Sequence, residues 1–254
     1  MVKHVKRFLG KSRTLRRIYE RLCFLKELFL GDLFHGEKLW LFLRVMPYTM
    51  VGYKRLTNVY ELALRVEQSR LPGAFVECGV WKGGVAGVMA YVASRAKSRR
   101  KIWLFDSFEG LPEPTLQDGG VAGEYAARRV SGELRTIGQC VGPREDVERL
   151  FSFLRIPKEY VMIEKGWFQD TLPLAKTSIG PIAILRIDAD WYESTKCVLE
   201  HLYDNVIGGG FVIVDDYGHW EGCRKAVDEF FHERKIPVEL IPIDYTGIYF
   251  QKVA

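Results

Sequence analysis

An α/β fold built on a mostly parallel sheet follows from three features of this 254-residue chain. From residue 74 onward, short apolar runs alternate with helix-compatible stretches. Acidic residues stand at the ends of several of those runs. A last pair of apolar runs is joined by a tight turn. Strands alternating with helices imply βαβ units and a sheet covered on both faces. The closing pair implies a hairpin that brings an antiparallel strand to an otherwise parallel, Rossmann-like sheet.

The elements are expected in this order. Residues 13–34 read as a helix, because Leu15, Ile18, Leu22, Leu25 and Phe29 recur at helical spacing with Arg16, Arg17, Glu20 and Arg21 on other faces. Residues 58–70 form a second helix, stopped by the turn signal Leu71, Pro72, Gly73. Strands are expected at 74–78, 101–105, 161–164, 182–187 and 210–214, with helices at 84–96, 145–154, 170–176 and 194–206. A helix over 221–235 precedes two strands, 238–243 and 248–252, around the turn DYTG (244–247).

Composition is that of a globular chain, at 48% hydrophobic and 27% charged residues. No apolar run reaches the roughly 18 residues of a membrane span, and charges interrupt any signal-peptide core. Cys23, Cys78, Cys140, Cys197 and Cys223 are scattered without a CxxC pair, which fits a reducing cytoplasm better than a disulfide framework or zinc site. The net charge of +5 is unevenly placed. Residues 1–26 hold nine Lys/Arg and one acid, hence +8, and the remainder sums to 5 − 8 = −3. With no basic and aromatic recognition motif in the body, nucleic acid is not an expected partner. The basic helix could pack on the body, meet a second subunit, or rest at the inner face of an anionic membrane.

Open α/β sheets bind ligands at the carboxyl ends of their strands. The first strand leads into FVECGVWKGG (75–84), whose Gly79, Gly83 and Gly84 allow close backbone approach and open a helix N-terminus. A dinucleotide loop would read GxGxxG, but Trp81 occupies the second glycine position and Glu77 would repel a pyrophosphate. Both suit a cationic, phosphate-free nucleoside such as S-adenosylmethionine. Asp106 ends the second strand, where an acid can accept ribose hydroxyls. After the third strand, Trp167 or Phe168 could stack on adenine and Asp170 could accept from its amino group, or the aromatics could simply pack.

The fourth strand ends in Asp188 and Asp190, the fifth in Asp215 and Asp216. Four carboxylates at one edge repel each other unless a cation sits among them, and all-oxygen ligation selects a hard ion such as Mg²⁺. Their other uses would be capping or pairing with Arg186 or Arg224. His219, close in sequence, is a second candidate base.

The stretches MPYTM (46–50), FVECGVWKGG (75–84), FDSFEGLP (105–112), DADWYEST (188–195) and GGFVIVDDY (209–217) together resemble the TylF/MycF family. That family comprises macrocin and mycinamicin sugar O-methyltransferases and related aminocoumarin enzymes. The resemblance runs from about residue 46 to 252. It implies a class I methyltransferase sheet over 46–254, with 1–45 as a basic helical extension. It further implies metal ligation by Asp188, Asp215 and Asp216, and Asp190 as general base. Cofactor contacts are implied from Thr49, Glu77, Gly79, Asp106 and Ser107, and a mobile lid from residues 111–127. A sugar or glycan acceptor and a homo-oligomer are expected with it. One departure stands out: catechol-type methyltransferases carry a lysine base three residues after the first metal aspartate, where this chain has Trp191. Two other readings remain, a non-catalytic binding module on the same fold and a nicotinamide-dependent sugar oxidoreductase. The missing GxGxxG loop disfavours the second, and no Tyr-x-x-x-Lys pair is expected at a strand–helix junction.

Overall fold

The computed structural model describes residues 13–32 and 35–253; of residues 13–18, 20 and 32 it describes the backbone only. Lys3, Lys6, Arg7 and Lys11 of the basic segment therefore lie outside the described residues. The elements are α1 (Arg13–Asp32), α2 (Gly36–Val45), α3 (Tyr53–Gln68), β1 (Ala74–Cys78), α4 (Gly84–Ala96), β2 (Ile102–Asp106), α5 (Gly119–Tyr125) and α6 (Arg144–Phe153). They continue as β3 (Val161–Lys165), α7 (Phe168–Ile179), β4 (Ile182–Ile187), α8 (Tyr192–Leu202), β5 (Val206–Val214), α9 (Glu221–Glu233), β6 (Ile241–Pro242) and β7 (Ile248–Gln251).

The seven strands form one sheet in the order β3-β2-β1-β4-β5-β7-β6. Strands β1 to β5 are parallel, and β7 runs antiparallel to both β5 and β6. The chain lays down β1, β2 and β3 outward, then returns to place β4 on the other side of β1. That reversal opens a crevice between the ends of β1 and β4. Alternate strand residues feed two cores. Phe75, Ile184, Phe211 and Ile213 pack with α1 to α4 and α6, and Val76, Leu185, Val212 and Val214 with α7 to α9.

Three elements depart from expectation for identifiable reasons. Helix α2 was not expected, because its LWLFL run lacks a polar face; Leu41, Phe42 and Val45 are fully buried in the first core. Helix α5 lies within glycine-rich 111–127, expected as turns. Thr115 and Asp118 form a reciprocal capping box just before it, giving a local start to the helical turns. Helix α8 ends at Leu202 rather than near 206, and Asn205 donates its side-chain amide to the carbonyls of Lys176 and Gly180 at the end of α7. Only the fold brings that acceptor pair within reach.

Candidate active site

The residues that end β1, β2, β4 and β5 converge. At Gly79, φ is +89° and any side chain would collide with the carbonyl oxygen of Asp188, so glycine lets β1 and β4 stay close as they end. Gly83 caps α4 with φ +84°, and a Cβ there would press on Val147 at 3.0 Å. A Cβ on Gly84 would lie 2.6 Å from both Thr49 Cβ and the Tyr48 carbonyl oxygen. The MPYT segment thus crosses the start of α4, which puts Thr49 beside the glycine loop; its hydroxyl accepts from Val51 N at 3.2 Å.

Asp106 narrows what was expected of it. Its Oδ2 accepts from the backbone N–H of Val80 and Trp81 at 2.7 and 2.8 Å, and Oδ1 from that of Phe108 at 2.7 Å. Each carboxylate oxygen has two lone pairs, so Oδ1 keeps one acceptor position and Oδ2 none. Asp106 is therefore first a clamp on the glycine loop, and it cannot offer both oxygens to a ribose. Ser107 is also engaged, donating to Gly110 O at 2.9 Å and accepting from Glu109 N at 3.1 Å. Trp81, Phe108 and Asp190, each just past a strand end, all hold left-handed backbone with φ of +48°, +57° and +57°. Such conformations persist where surrounding contacts over-determine them. Trp167 is half-buried and caps α7, its carbonyl accepting from Asp170 N and Thr171 N, while Asp170 itself is exposed.

The acid cluster carries two arginines that the strand-end pattern did not indicate together. Arg186, 1% exposed on β4, donates Nη1 to Glu77 Oε1 at 2.6 Å and to Asp188 Oδ2 at 2.9 Å, and Nη2 to Asp215 Oδ1 at 2.6 Å. Arg55, from α3, pairs with Asp215 Oδ2 and, through Nε, with Asp244 Oδ2 at 3.1 Å. Pairing with Arg186, one of the alternatives open from the sequence, is thus realised; Arg224 instead donates to the Tyr217 carbonyl. Two guanidinium groups face Glu77, Asp188, Asp190, Asp215 and Asp216, and the surplus is negative. One oxygen each of Asp188, Asp215 and Asp216 lies within 4.8 Å of the others, and Asp216 Oδ2 is buried without a hydrogen-bond partner. Burial, then Asp190 and Asp188, push the Asp216 carboxyl well above its usual range. Burial and Asp188 push Asp190 up to about 7, and burial lifts Glu77 to about 8 against the pull of Arg186. An added cation would relieve this repulsion.

Glu77 was expected to touch the cofactor. It is 1% exposed, with Oε1 held by Arg186 and Oε2 unpartnered, so it stands beneath the crevice as part of the charge network. Asp190 Oδ1 accepts from Trp220 Nε1 at 2.7 Å. Trp220 packs edge-on against Trp191 and Tyr125, with ring centres 4.8 and 5.5 Å away. Trp191, at the position of the missing lysine, donates Nε1 to Pro112 O at 3.0 Å. His219 is exposed, its ring against that of Trp220. His219 and Trp220 also line an open groove of about 510 Å³ along α9.

One expectation fails outright: Tyr192 and Lys196 do form a Tyr-x-x-x-Lys spacing at the start of α8. The Tyr192 hydroxyl, however, donates to Glu229 at 2.6 Å, and this bond raises its pKa. A reductase tyrosine needs the opposite shift, so the pair does not revive the oxidoreductase reading. Arg55, Trp220 and, within residues 111–127, Glu113 and Asp118 were not singled out from sequence. Of these, Trp220 alone had a signal, its place next to His219.

The family model described as macrocin-O-methyltransferase (TylF) matches residues 43–252. Demethyldecarbamoylnovobiocin O-methyltransferase of Streptomyces niveus is 40% identical over 206 residues, 81% of this chain and 76% of that one. Mycinamicin III 3''-O-methyltransferase of Micromonospora griseorubida is 33% identical over 210 residues, 82% of this chain and 80% of its own length. Among solved structures, the O-methyltransferase NovP superposes with a TM-score of 0.70 at 39% identity, covering 82% of this chain and 83% of its own. The calicheamicin methyltransferase CalS11 superposes at 0.66 with 23% identity, covering 94% and 93%, a likeness of fold.

Proposed function

The chain belongs to the macrocin O-methyltransferase family, and from that membership we propose that it methylates a hydroxyl of a sugar or glycosylated natural product, using S-adenosylmethionine and Mg²⁺. The observation that carries the metal part is the buried, unpartnered Oδ2 of Asp216 beside Asp188 and Asp215, three carboxylates whose oxygens lie within 4.8 Å. Hard oxygen donors in this number suit Mg²⁺, which keeps part of its shell for other oxygens. Asp188, Asp215 and Asp216 would hold the ion. When bound, it supplies the charge that lowers the pKa of an acceptor hydroxyl.

S-adenosylmethionine supplies the methyl group, and its place is the crevice bounded by the glycine loop, Thr49, Asp106 and the Trp167 turn. The loop's amides are drawn onto Asp106, leaving one oxygen position for a ribose hydroxyl. The acceptor belongs on the Trp220 side, where Asp190 accepts its proton. Burial holds the Asp190 carboxyl above its usual range, which strengthens it as a base. Trp191 and Trp220, both buried, exclude water from this side of Asp190.

The test is methyl transfer from labelled S-adenosylmethionine to a panel of deoxysugar glycosides, with and without Mg²⁺ after chelation. Transfer that needs the ion supports the reading. Turnover that survives complete metal removal overturns its metal part, and cofactor binding with no transfer to any acceptor would favour a binding module.

A further inference from the structure

Asp215 is the proposed metal ligand with an ion pair on each oxygen. Arg186 Nη2 meets Oδ1 at 2.6 Å, and Arg55 Nη1 meets Oδ2. Asp188 meets Arg186, and Asp216 Oδ2 has no hydrogen-bond partner. The two arginines reach Asp215 from different places. Arg186 lies on β4, 1% exposed, and bridges Glu77, Asp188 and Asp215, so it neutralises the floor of the cluster. Arg55 comes from outside the sheet, in the first turn of α3, and its side chain is 15% exposed.

Two features aim Arg55 at Asp215. Its Nε pairs with Asp244 Oδ2 at 3.1 Å, in the turn between β6 and β7. A Cβ on Gly247 of the same turn would lie 3.0 Å from Arg55 Cδ, so the glycine leaves room for the arginine stem. The turn has its own support, because Asp244 Oδ1 accepts from Thr246 N at 2.9 Å, Gly247 N at 2.8 Å and the Thr246 hydroxyl at 3.2 Å. What Arg55 brings to the cluster is a charge. A guanidinium stays protonated in proteins, so that charge is fixed. A cation shared by Asp188, Asp215 and Asp216 would draw on the same carboxylate, and two positive charges in a site with little water oppose each other strongly.

On the metal reading given above, we propose that Arg55 opposes Mg²⁺ at Asp215 and sets the site's affinity for the ion below what the three carboxylates alone would give. A purely structural ion pair has the opposite consequence: its loss would loosen Asp215 and weaken the hold on the ion.

The test is isothermal titration of Mg²⁺ into the full chain, freed of metal by chelation and dialysis, and into three variants. Arg55→Met and Arg55→Gln remove the charge while Asp215 keeps Arg186, and Arg55→Lys retains it. The neutral variants are expected to bind Mg²⁺ about tenfold or more tightly than the parent, and Arg55→Lys within about threefold of it, as a neighbouring charge shifts an ionic equilibrium by about one to three powers of ten. S-adenosylhomocysteine affinity equal to the parent's shows that a variant is folded. The inference falls if the parent binds Mg²⁺ and neither neutral variant binds it more tightly; weaker binding would make Arg55 a residue that orients Asp215 as a ligand. It falls too if Arg55→Lys tightens binding as much as Arg55→Met, because charge is then not what opposes the ion. Failure of the parent and of both neutral variants to bind Mg²⁺ would remove the metal reading itself, and this inference with it, whereas binding by the neutral variants alone would support both.

Discussion

Within the acid cluster, neighbouring aspartates take different roles from their different partners. Asp188 and Asp215 meet Arg186, and Asp215 also meets Arg55, whereas Asp190 accepts from the neutral Trp220 N–H and forms no ion pair among the described residues. Asp188→Asn and Asp215→Asn are therefore expected to raise the Mg²⁺ concentration that half-saturates activity, with partial rescue by excess ion. Asp190→Asn is expected to lower the rate by about 10²–10⁴-fold, without metal rescue and without loss of S-adenosylmethionine binding. Rescue of Asp190→Asn by Mg²⁺ would make Asp190 a ligand and leave His219 as the better base. Arg186 is the residue on which the cluster's folding depends most. Arg186→Met leaves Glu77 to take up a proton and Asp215 buried with Arg55 as its remaining ion partner among the described residues, a loss of about 3–5 kcal/mol. Chemical denaturation should show it, and Glu77→Gln in the same chain should recover part of it.

The elements around the crevice are held by side chains reaching from one loop to the next. Asp106 ties the β1 loop to the end of β2, so Asp106→Ala should do two things together. Cofactor affinity should fall about ten- to a hundredfold, and the ligand-free protein should unfold at lower temperature, since charge-assisted bonds of this kind contribute about 1.5–3 kcal/mol. An unchanged melting temperature would remove the clamp role. Residues 111–127 are anchored likewise. Asp118 caps α8 through Tyr192 N at 2.6 Å, and Gly222 is needed because any side chain there would strike Asp118 Oδ1. Glu113 accepts from Ser131 at 2.7 Å and Arg135 at 2.7 Å, partners that hold its carboxyl below the usual range. A depressed carboxyl favours the folded arrangement of this segment above the unfolded-state pKa, and that contribution is lost as pH falls through the lower folded value. Hydrogen-exchange protection of residues 111–137, taken relative to the intrinsic rate at each pH, should fall on acidification ahead of that of the central strands, and Glu113→Gln should show the lower protection already at neutral pH. Protection that stays uniform with pH would rule this out.

Across the whole molecule, the sheet brings distant segments to one point: Arg55 from α3, Asp244 from the β6–β7 turn, and Arg186 and Asp215 from neighbouring strands. Ligands of that point should stabilise the entire fold. Saturating Mg²⁺ or S-adenosylhomocysteine should raise the melting temperature by mass action, about 2.7 kcal/mol at a hundred times the dissociation constant. A chelated protein indifferent to added Mg²⁺ would count against the metal centre.

Much of this was legible in the amino-acid order, because strand and helix periodicities are local and a parallel strand's carboxyl end is known from its direction. The alternation from residue 74, the terminal hairpin, the glycine loop and the four aspartates at 188, 190, 215 and 216 needed nothing more. Pairing is different. The register that sets Glu77 beside Arg186, the docking of α3 that delivers Arg55, and the contact of Trp220 with Asp190 each depend on two segments meeting in space. Helices α2 and α5 were also not expected: the apolar LWLFL run of α2 shows no helical alternation, and the glycines of α5 masked the local Thr115–Asp118 capping box that precedes it. The sequence alone determined which chemical groups stand at the sheet edge. The tertiary structure decided which charges cancel, leaving Asp216 Oδ2 unpaired, because a buried charge is defined by its neighbours in space and not by those along the chain.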